Sequence, residues 1–361
     1  MEKNKLKSVL KKTYRFAFRI FSVAVLFFMG MSLIPLKSTV KPIQPRSNTQ
    51  YWTLHDGYKI AYTKIEGDAS NQRPPIIFLH GGPGGYIHSS IIKQMEVVAQ
   101  AGYDVYLYDQ IGSGLSDRLA KPKDYSFYRH VQDLEEIVTT QISAQKVILI
   151  GQSFGALIAA HFIADHAMLV GKVIFTSPAP LQPEELDAHG NLIDLETLYP
   201  TPESLHFKEP LDVFEETEKT LINPRIIVTN VSAMLFNIKW ASDSEMDGLV
   251  NTMATRFTSG MVCDPTNVLP EEGGGGGYVH IFSNWYVGVE DPRLKLVDVN
   301  IPALVLQGQC DQNSYATAYE YADLLEGEYT FIEGAGHEIW WEQPEAFTSS
   351  ILDFLMKADK E

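Results

Sequence analysis

The run Val147-Ile148-Leu149-Ile150-Gly151-Gln152-Ser153-Phe154-Gly155 decides how this chain is read. Its first four residues are branched and apolar, which suits a short strand buried on both faces of a parallel sheet. From Phe154 to about His166 the pattern turns helical, so Ser153 falls on the turn between strand and helix. Glycines two residues before and two after it complete G-x-S-x-G, and so sharp a turn leaves no room for side chains at those places. The serine is thereby held out as a nucleophile.

The same alternation extends both ways. Pro75–Leu79, Val105–Tyr108 and Val173–Thr176 read as further buried strands, with helical stretches near 88–101, 126–143 and 154–166 between them. Such β-α-β alternation implies a doubly wound, mostly parallel sheet flanked by helices. Ahead of it, Tyr51–Leu54 and Tyr58–Ile65 flank His55-Asp56-Gly57 and predict a hairpin. After Ser177-Pro178 the pattern changes: residues 180–285 are acidic, aromatic and mainly helical. They contain the five glycines Gly273–Gly277, read as a mobile loop that serves as a linker or a lid. Alternation resumes with Ala303–Gln307, a helix near 314–325, Tyr329–Ile332 and a helix after Pro344. The middle block is therefore an insertion in one domain.

Three more loops complete a chemical set around Ser153. His80-Gly81-Gly82-Pro83-Gly84-Gly85 follows the strand Pro75–Leu79, where glycines let backbone N–H groups turn toward a developing oxyanion. The N–H groups of Gly82 and Phe154 are the candidate donors. Asp311 and His337 each follow a later strand, giving the chain order serine, acid, histidine. Their separation leaves room for one helix and one strand, so both loops emerge at the carboxyl edge of the sheet beside Ser153. His337 would take the serine proton and return it to the leaving group, while Asp311 fixes the imidazole tautomer and stabilises its cation. This chemistry calls for no metal and no cofactor. A serine at the elbow also argues against epoxide hydrolases and dehalogenases, which use an aspartate there.

Composition narrows the surroundings. With 361 residues, 45% of them hydrophobic, and a net charge of −16, the chain is neither disordered nor suited to nucleic acid. Cys263 and Cys310 cannot build a disulfide framework or a four-ligand zinc site, and read as two ordinary thiols. Residues 1–19 hold seven basic residues against one acid, and Ile20–Leu36 carries no charge. That is the short end of a membrane-spanning length, and it reads as an uncleaved single-pass anchor with its N-terminus in the cytoplasm and the catalytic domain outside. A signal peptide cleaved to release a secreted protein, or an amphipathic tail on a soluble chain, are the alternatives.

The loop His80–Gly84, the run Asp109-Gln110-Ile111-Gly112-Ser113-Gly114-Leu115-Ser116, the Ser153 elbow and the Asp311 and His337 loops together resemble the prolyl aminopeptidase (proline iminopeptidase) family of α/β-hydrolases. The resemblance spans nearly all of 51–361. It implies an α/β-hydrolase fold for that stretch; ahead of it the charge and hydropathy pattern marks a basic tail (1–19), a transmembrane helix (20–36) and a stiff linker (37–50). The hydrolase core comes in two stretches, 51–179 and 286–361, on either side of a helical cap (180–285). The resemblance also implies release of an N-terminal residue, often proline, from a short peptide or amide through an acyl-enzyme. In that family acidic cap residues bind the free amino group. Glu245, after Trp240, and Glu215, in the cluster with Glu216 and Glu218, are the candidates here. Asp109 and Gln110 read as a structural turn; Ile111 and Gln309-Cys310 stand where the family commonly has arginines. An esterase with the same triad, or a non-catalytic binding protein on a hydrolase scaffold, are the competing readings.

Overall fold

The structure is a computed structural model, and it describes residues 2–68, 73–182, 194–209, 222–283 and 288–357. Eight strands form one sheet: β1 (Thr49–Thr53), β2 (Lys59–Ile65), β3 (Ile76–Leu79), β4 (Val105–Tyr108), β5 (Val147–Gln152), β6 (Val170–Thr176), β7 (Ala303–Gly308) and β8 (Glu328–Ile332). Their spatial order is β1-β2-β4-β3-β5-β6-β7-β8, with β2 antiparallel to both β1 and β4 and every other pairing parallel. The α-helices are α1 (Glu2–Ser32), α2 (Ser89–Ala99), α3 (Phe127–Glu136), α4 (Phe154–His166), α5 (Leu195–Leu198) and α6 (Pro224–Phe236). They continue with α7 (Asp243–Phe257), α8 (Gly277–Phe282), α9 (Arg293–Leu296), α10 (Tyr315–Leu324), α11 (Ile339–Glu342) and α12 (Pro344–Met356).

Period-two alternation divides the core. Ile77, Leu79, Val147 and Leu149 face one side of the sheet, with α3, α4 and α10, while Ile76, Phe78, Ile148 and Ile150 face the other, with α2 and α12. Both sides are covered, so β3 and β5 are buried along their whole length and each large aliphatic side chain contributes about 1.5–3 kcal/mol by leaving water. The predicted hairpin is present, with Gly57 at φ +88° in its turn. The predicted helix over 126–143 is α3 followed by a π-helical turn through Ile142.

Register brings the site together. Leu79 pairs with Gly151, Gln152 with Thr176, and Gly308 with Ile332, so the loops after β3, β5, β7 and β8 leave from one edge. The inserted block supplies α5 to α8 above that edge.

Four expectations are corrected by packing. Gly273–Gly277 is a buried seam and no mobile loop: Gly276 N donates to Gly84 O at 2.8 Å, Gly114 N to Gly274 O at 2.6 Å, and Gly275 N to Asn251 Oδ1 at 2.7 Å. A Cβ on Gly274 would enter the Tyr86 ring, so glycine serves close approach here. Cys263 and Cys310 are joined in a disulfide, with Cα atoms 5.2 Å apart. The expected stiff linker is a docked strap: Leu36 N donates to Glu245 Oε1, Ile43 N to Gly273 O, and Arg46 Nη2 to Ile87 O. Finally, the helix expected over 20–36 begins and ends earlier in the chain. α1 is continuous to Ser32, and the segment long and apolar enough to cross a membrane is Lys11–Ser32, 22 residues, ending before the charge-free run does.

Candidate active site

Ser153 sits at φ 52°, ψ −115°, a strained conformation for a residue with a side chain. Its N–H donates to Thr176 O, and its carbonyl accepts from Ala156 N as α4 begins. A Cβ on Gly151 would lie 2.6 Å from Gly155 O, and one on Gly155 would strike the Leu79 carbonyl. Both glycines are therefore required by space, as the motif implies. The amino end of α4 faces the serine, which favours negative charge there.

His337 and Asp311 meet as the spacing predicts. His337 Nδ1 is 2.8 Å from Asp311 Oδ1, and both side chains are buried. Asp311 Oδ1 also accepts from Asn313 N at 3.0 Å. A carboxylate can only accept, which assigns the proton to Nδ1 and leaves Nε2 as the basic nitrogen. Burial by itself would lower the His337 pKa, but the adjacent Asp311 carboxylate outweighs it and holds the pKa above its ordinary value. Two contacts fix this corner to the insertion: His337 N donates to Met261 O at 2.8 Å, and the Cys263–Cys310 disulfide ends beside Asp311. Glu342 ties the same loops, accepting from Cys263 N, Asp264 N and Gly336 N.

The glycine loop after β3 passes against the elbow. Gly82 has φ +134°, and a Cβ on Gly81 would lie 3.0 Å from Ser153 Cβ. Gln110 N donates to His80 Nε2, so Nδ1 carries the ring proton and donates to Gly81 O at 2.8 Å. Burial keeps this imidazole neutral, with its pKa lowered to about 4. Asp109 clamps two loops, accepting from Ile87 N and Leu115 N at 2.8 Å each. The structural role expected of Asp109 and Gln110 matches these bonds.

Ser153, Gly82 and His337 line one cavity of about 510 Å³, to whose wall α7 contributes. Much of its wall is apolar, including Phe78, Ile91, Met253, Phe257, Leu269 and Trp340. Two carboxylates enter it, Glu271 and Glu338. Glu271 Oε1 accepts from Tyr86 Oη and Gly273 N, and Oε2 has no hydrogen bond among the described residues. Glu338 directly follows His337, and its carboxyl has no hydrogen-bond partner among the described residues. Burial, reinforced by Glu271 and Glu342, raises its pKa to about 7. The acids expected from the resemblance are elsewhere. Glu245 does not line the cavity, because both its oxygens are held by Arg225 at 2.7 and 2.8 Å. Glu215 lies outside the described residues. Glu271 and Glu338 escaped sequence reasoning, and the one signal for Glu338 was its place next to the histidine. Among the described residues, no group of three or more His, Cys, Asp or Glu could hold a metal ion.

A serine on a strained strand-to-helix turn, with a buried histidine–aspartate pair beside it at the carboxyl edge of a mostly parallel sheet, defines an α/β-hydrolase. The chain belongs to the alpha/beta hydrolase fold family, whose model matches residues 74–344. It is similar to the proline iminopeptidase of Heyndrickxia coagulans, 25% identical over 83% of this chain and 96% of that protein. The proline iminopeptidase of Lactobacillus helveticus is 24% identical over 84% and 96%. Among solved structures, an esterase from Exiguobacterium antarcticum superposes with a TM-score of 0.61 at 18% identity, over 85% of this chain and 99% of that one. That likeness concerns the fold.

Proposed function

We propose that this protein is a serine hydrolase that cleaves an amide through an acyl-enzyme, acting as an aminopeptidase on short peptides. The observation that carries the aminopeptidase reading is the pair Glu271 and Glu338 in the cavity of Ser153 and His337. An N-terminal ammonium between two carboxylates is stabilised where a neutral or acylated terminus is not. The distant similarity to proline iminopeptidases supports the same reading.

The steps follow from the groups present. His337 Nε2 removes the Ser153 hydroxyl proton as Oγ attacks the carbonyl carbon, and Asp311 stabilises the imidazolium. The N–H groups of Gly82 and Phe154 receive the oxyanion; loss of one such donor costs roughly 100- to 1,000-fold in turnover. Collapse breaks the C–N bond, and the departing amine takes the proton from His337. Water then repeats the sequence on the ester, releasing the residue and free Ser153.

An esterase is the second reading, favoured by the apolar wall of the cavity. Full-length protein assayed with aminoacyl anilides, their N-acetylated counterparts and a p-nitrophenyl ester separates the two. Selective turnover of the free-amino anilides supports the aminopeptidase, and hydrolysis of the ester alone refutes it. A binding protein on this scaffold would leave Ser153 unlabelled by a fluorophosphonate.

On the same reading the enzyme is a single-pass membrane protein with its catalytic domain outside. Lys3, Lys5 and Lys7 precede the candidate span and Lys11, Lys12, Arg15 and Arg19 fall at its start, a positive bias that favours a cytoplasmic N-terminus. A disulfide beside the site fits an oxidising compartment. Retention of the helix, against cleavage as a signal sequence, is supported by its end: Ser32 O accepts from Arg225 Nη1 and Trp240 Nε1 of the cap.

A further inference from the structure

Helix α6 is apolar on its outer face. Inward it buries Ile226, Thr229 and Ala233. Outward, Ile227, Val231, Met234 and Leu235 recur at helical spacing, and Phe236 and Ile238 extend the stripe past the helix end, all of them exposed. Leu235 is 68% and Phe236 67% accessible. A helix on the outside of a water-soluble domain carries polar residues on its outer face, and a contiguous apolar patch in their place marks a surface with a partner.

Two observations identify that partner. First, α1 ends against α6, held there by the bonds from Arg225 and Trp240 to Ser32 O at 3.0 and 3.3 Å. The bare apolar surface of α1 therefore continues into that of α6. Second, residues 222–240 contain no Asp or Glu, although the chain as a whole carries −16. The charges present, Arg225 and Lys239, are cations, each paired with a carboxylate from beyond the patch, Glu245 and Asp243. With both cations neutralised in ion pairs, what the surface presents is an apolar face free of acids and continuous with α1, which suits the interface of a bilayer.

We infer that the outer face from Ile227 to Ile238 lies in the headgroup–acyl boundary of the bilayer that α1 crosses, so the enzyme rests on the membrane through its cap. The inference rests on the reading of α1 as a retained anchor. Trp240 sits at the edge of the patch, where an amphipathic ring is favoured. α7 connects this face to the chemistry: Glu245 in its first turn holds Arg225 of α6, and Val250, Ala254 and Phe257 further along it line the cavity.

The test uses full-length protein in vesicles of phosphatidylcholine and phosphatidylglycerol with acyl chains brominated both near the headgroup and at mid-chain. An environment-sensitive fluorophore is placed at Leu235→Cys or Phe236→Cys on the outer face of α6, at Val23→Cys in α1, or at Met168→Cys just before β6. All four sites are exposed, and the native cysteines are consumed in their disulfide. At the depth of about 5–10 Å that interfacial helices reach, labels at 235 and 236 should lose about half their emission or more, with 168 unaffected. Quenching at 23 with none at 235 and 236 overturns the inference and leaves the anchor standing. Quenching absent at 23 removes the anchor and the inference together. Labels at 235 and 236 that report an apolar setting without quenching assign the patch to a protein partner and also overturn it.

Discussion

Replacing Cys263 and Cys310 together by alanine opens a covalent loop whose ends are 47 residues apart. In chain-entropy terms, a cross-link over that length restricts the unfolded chain by about 4 kcal/mol at 25 °C. The unfolding entropy of a domain of roughly 310 residues is about 0.65 kcal/mol per degree, so the loss corresponds to a fall in Tm of about 6 °C. The native state changes little, because Cys310 N still donates to Ala335 O and His337 N to Met261 O, which hold the acid and base loops in place. Scanning calorimetry of the full-length protein in detergent, with and without a dithiol reductant, measures the effect. Reductant should lower the Tm of the native protein toward that of the variant and leave the variant unmoved. Equal Tm values for native and variant proteins, with two titratable thiols in the unreduced native chain, would refute the reasoning.

Asp311→Asn should preserve the fold and lower kcat on an amide by up to about 10⁴-fold, because the imidazole loses its orienting anion; circular dichroism and steady-state kinetics check both halves. Glu338 must be ionised to bind an ammonium, and its pKa is raised to about 7 by burial. KM for free-amino substrates should therefore rise as pH falls below about 7, and Glu338→Gln should raise KM at and above neutral pH to about the native enzyme's low-pH value, abolishing that dependence while sparing esters; a KM series across pH decides it. Glu245→Gln should cost of order 2 kcal/mol in stability, between the values for exposed and buried pairs. KM should stay constant, since Glu245 serves Arg225 and does not line the cavity; a rise in KM would return it to substrate binding.

The Ser153 elbow was readable because its requirement is local: three residues on one turn state both the strain and the space. Asp311 and His337 were readable because a parallel sheet sends every strand's carboxyl end to one edge, so chain order is enough to place them. Which acids face the cavity was not readable. Glu245 follows Trp240 as the resemblance leads one to expect, yet the Arg225 guanidinium claims it, and an ion pair between two helices leaves no periodic trace. The glycine run misled for a related reason. A missing Cβ permits either freedom or close approach, and the neighbours that decide, Tyr86, Asn251 and the Gly84 and Gly112 loops, lie far away in the chain. The cysteine pair is equally non-local. The charge-free run ending at Leu36 misplaced the helix because lysine and arginine are good helix formers, so α1 begins well inside the basic tail.

With α1 as the membrane anchor proposed above, the strap between α1 and β1 bears on how this enzyme could be shed. A protease cutting between Val40 and Pro42 would sever the backbone without parting the pieces. On the upstream side, Ser32 and Leu36 stay bonded to Arg225, Trp240 and Glu245; on the downstream side, Ile43 and Arg46 stay bonded to Gly273 and Ile87. Release then takes two events, hydrolysis and dissociation of the upstream fragment. A nicked enzyme keeps its address until the second has occurred.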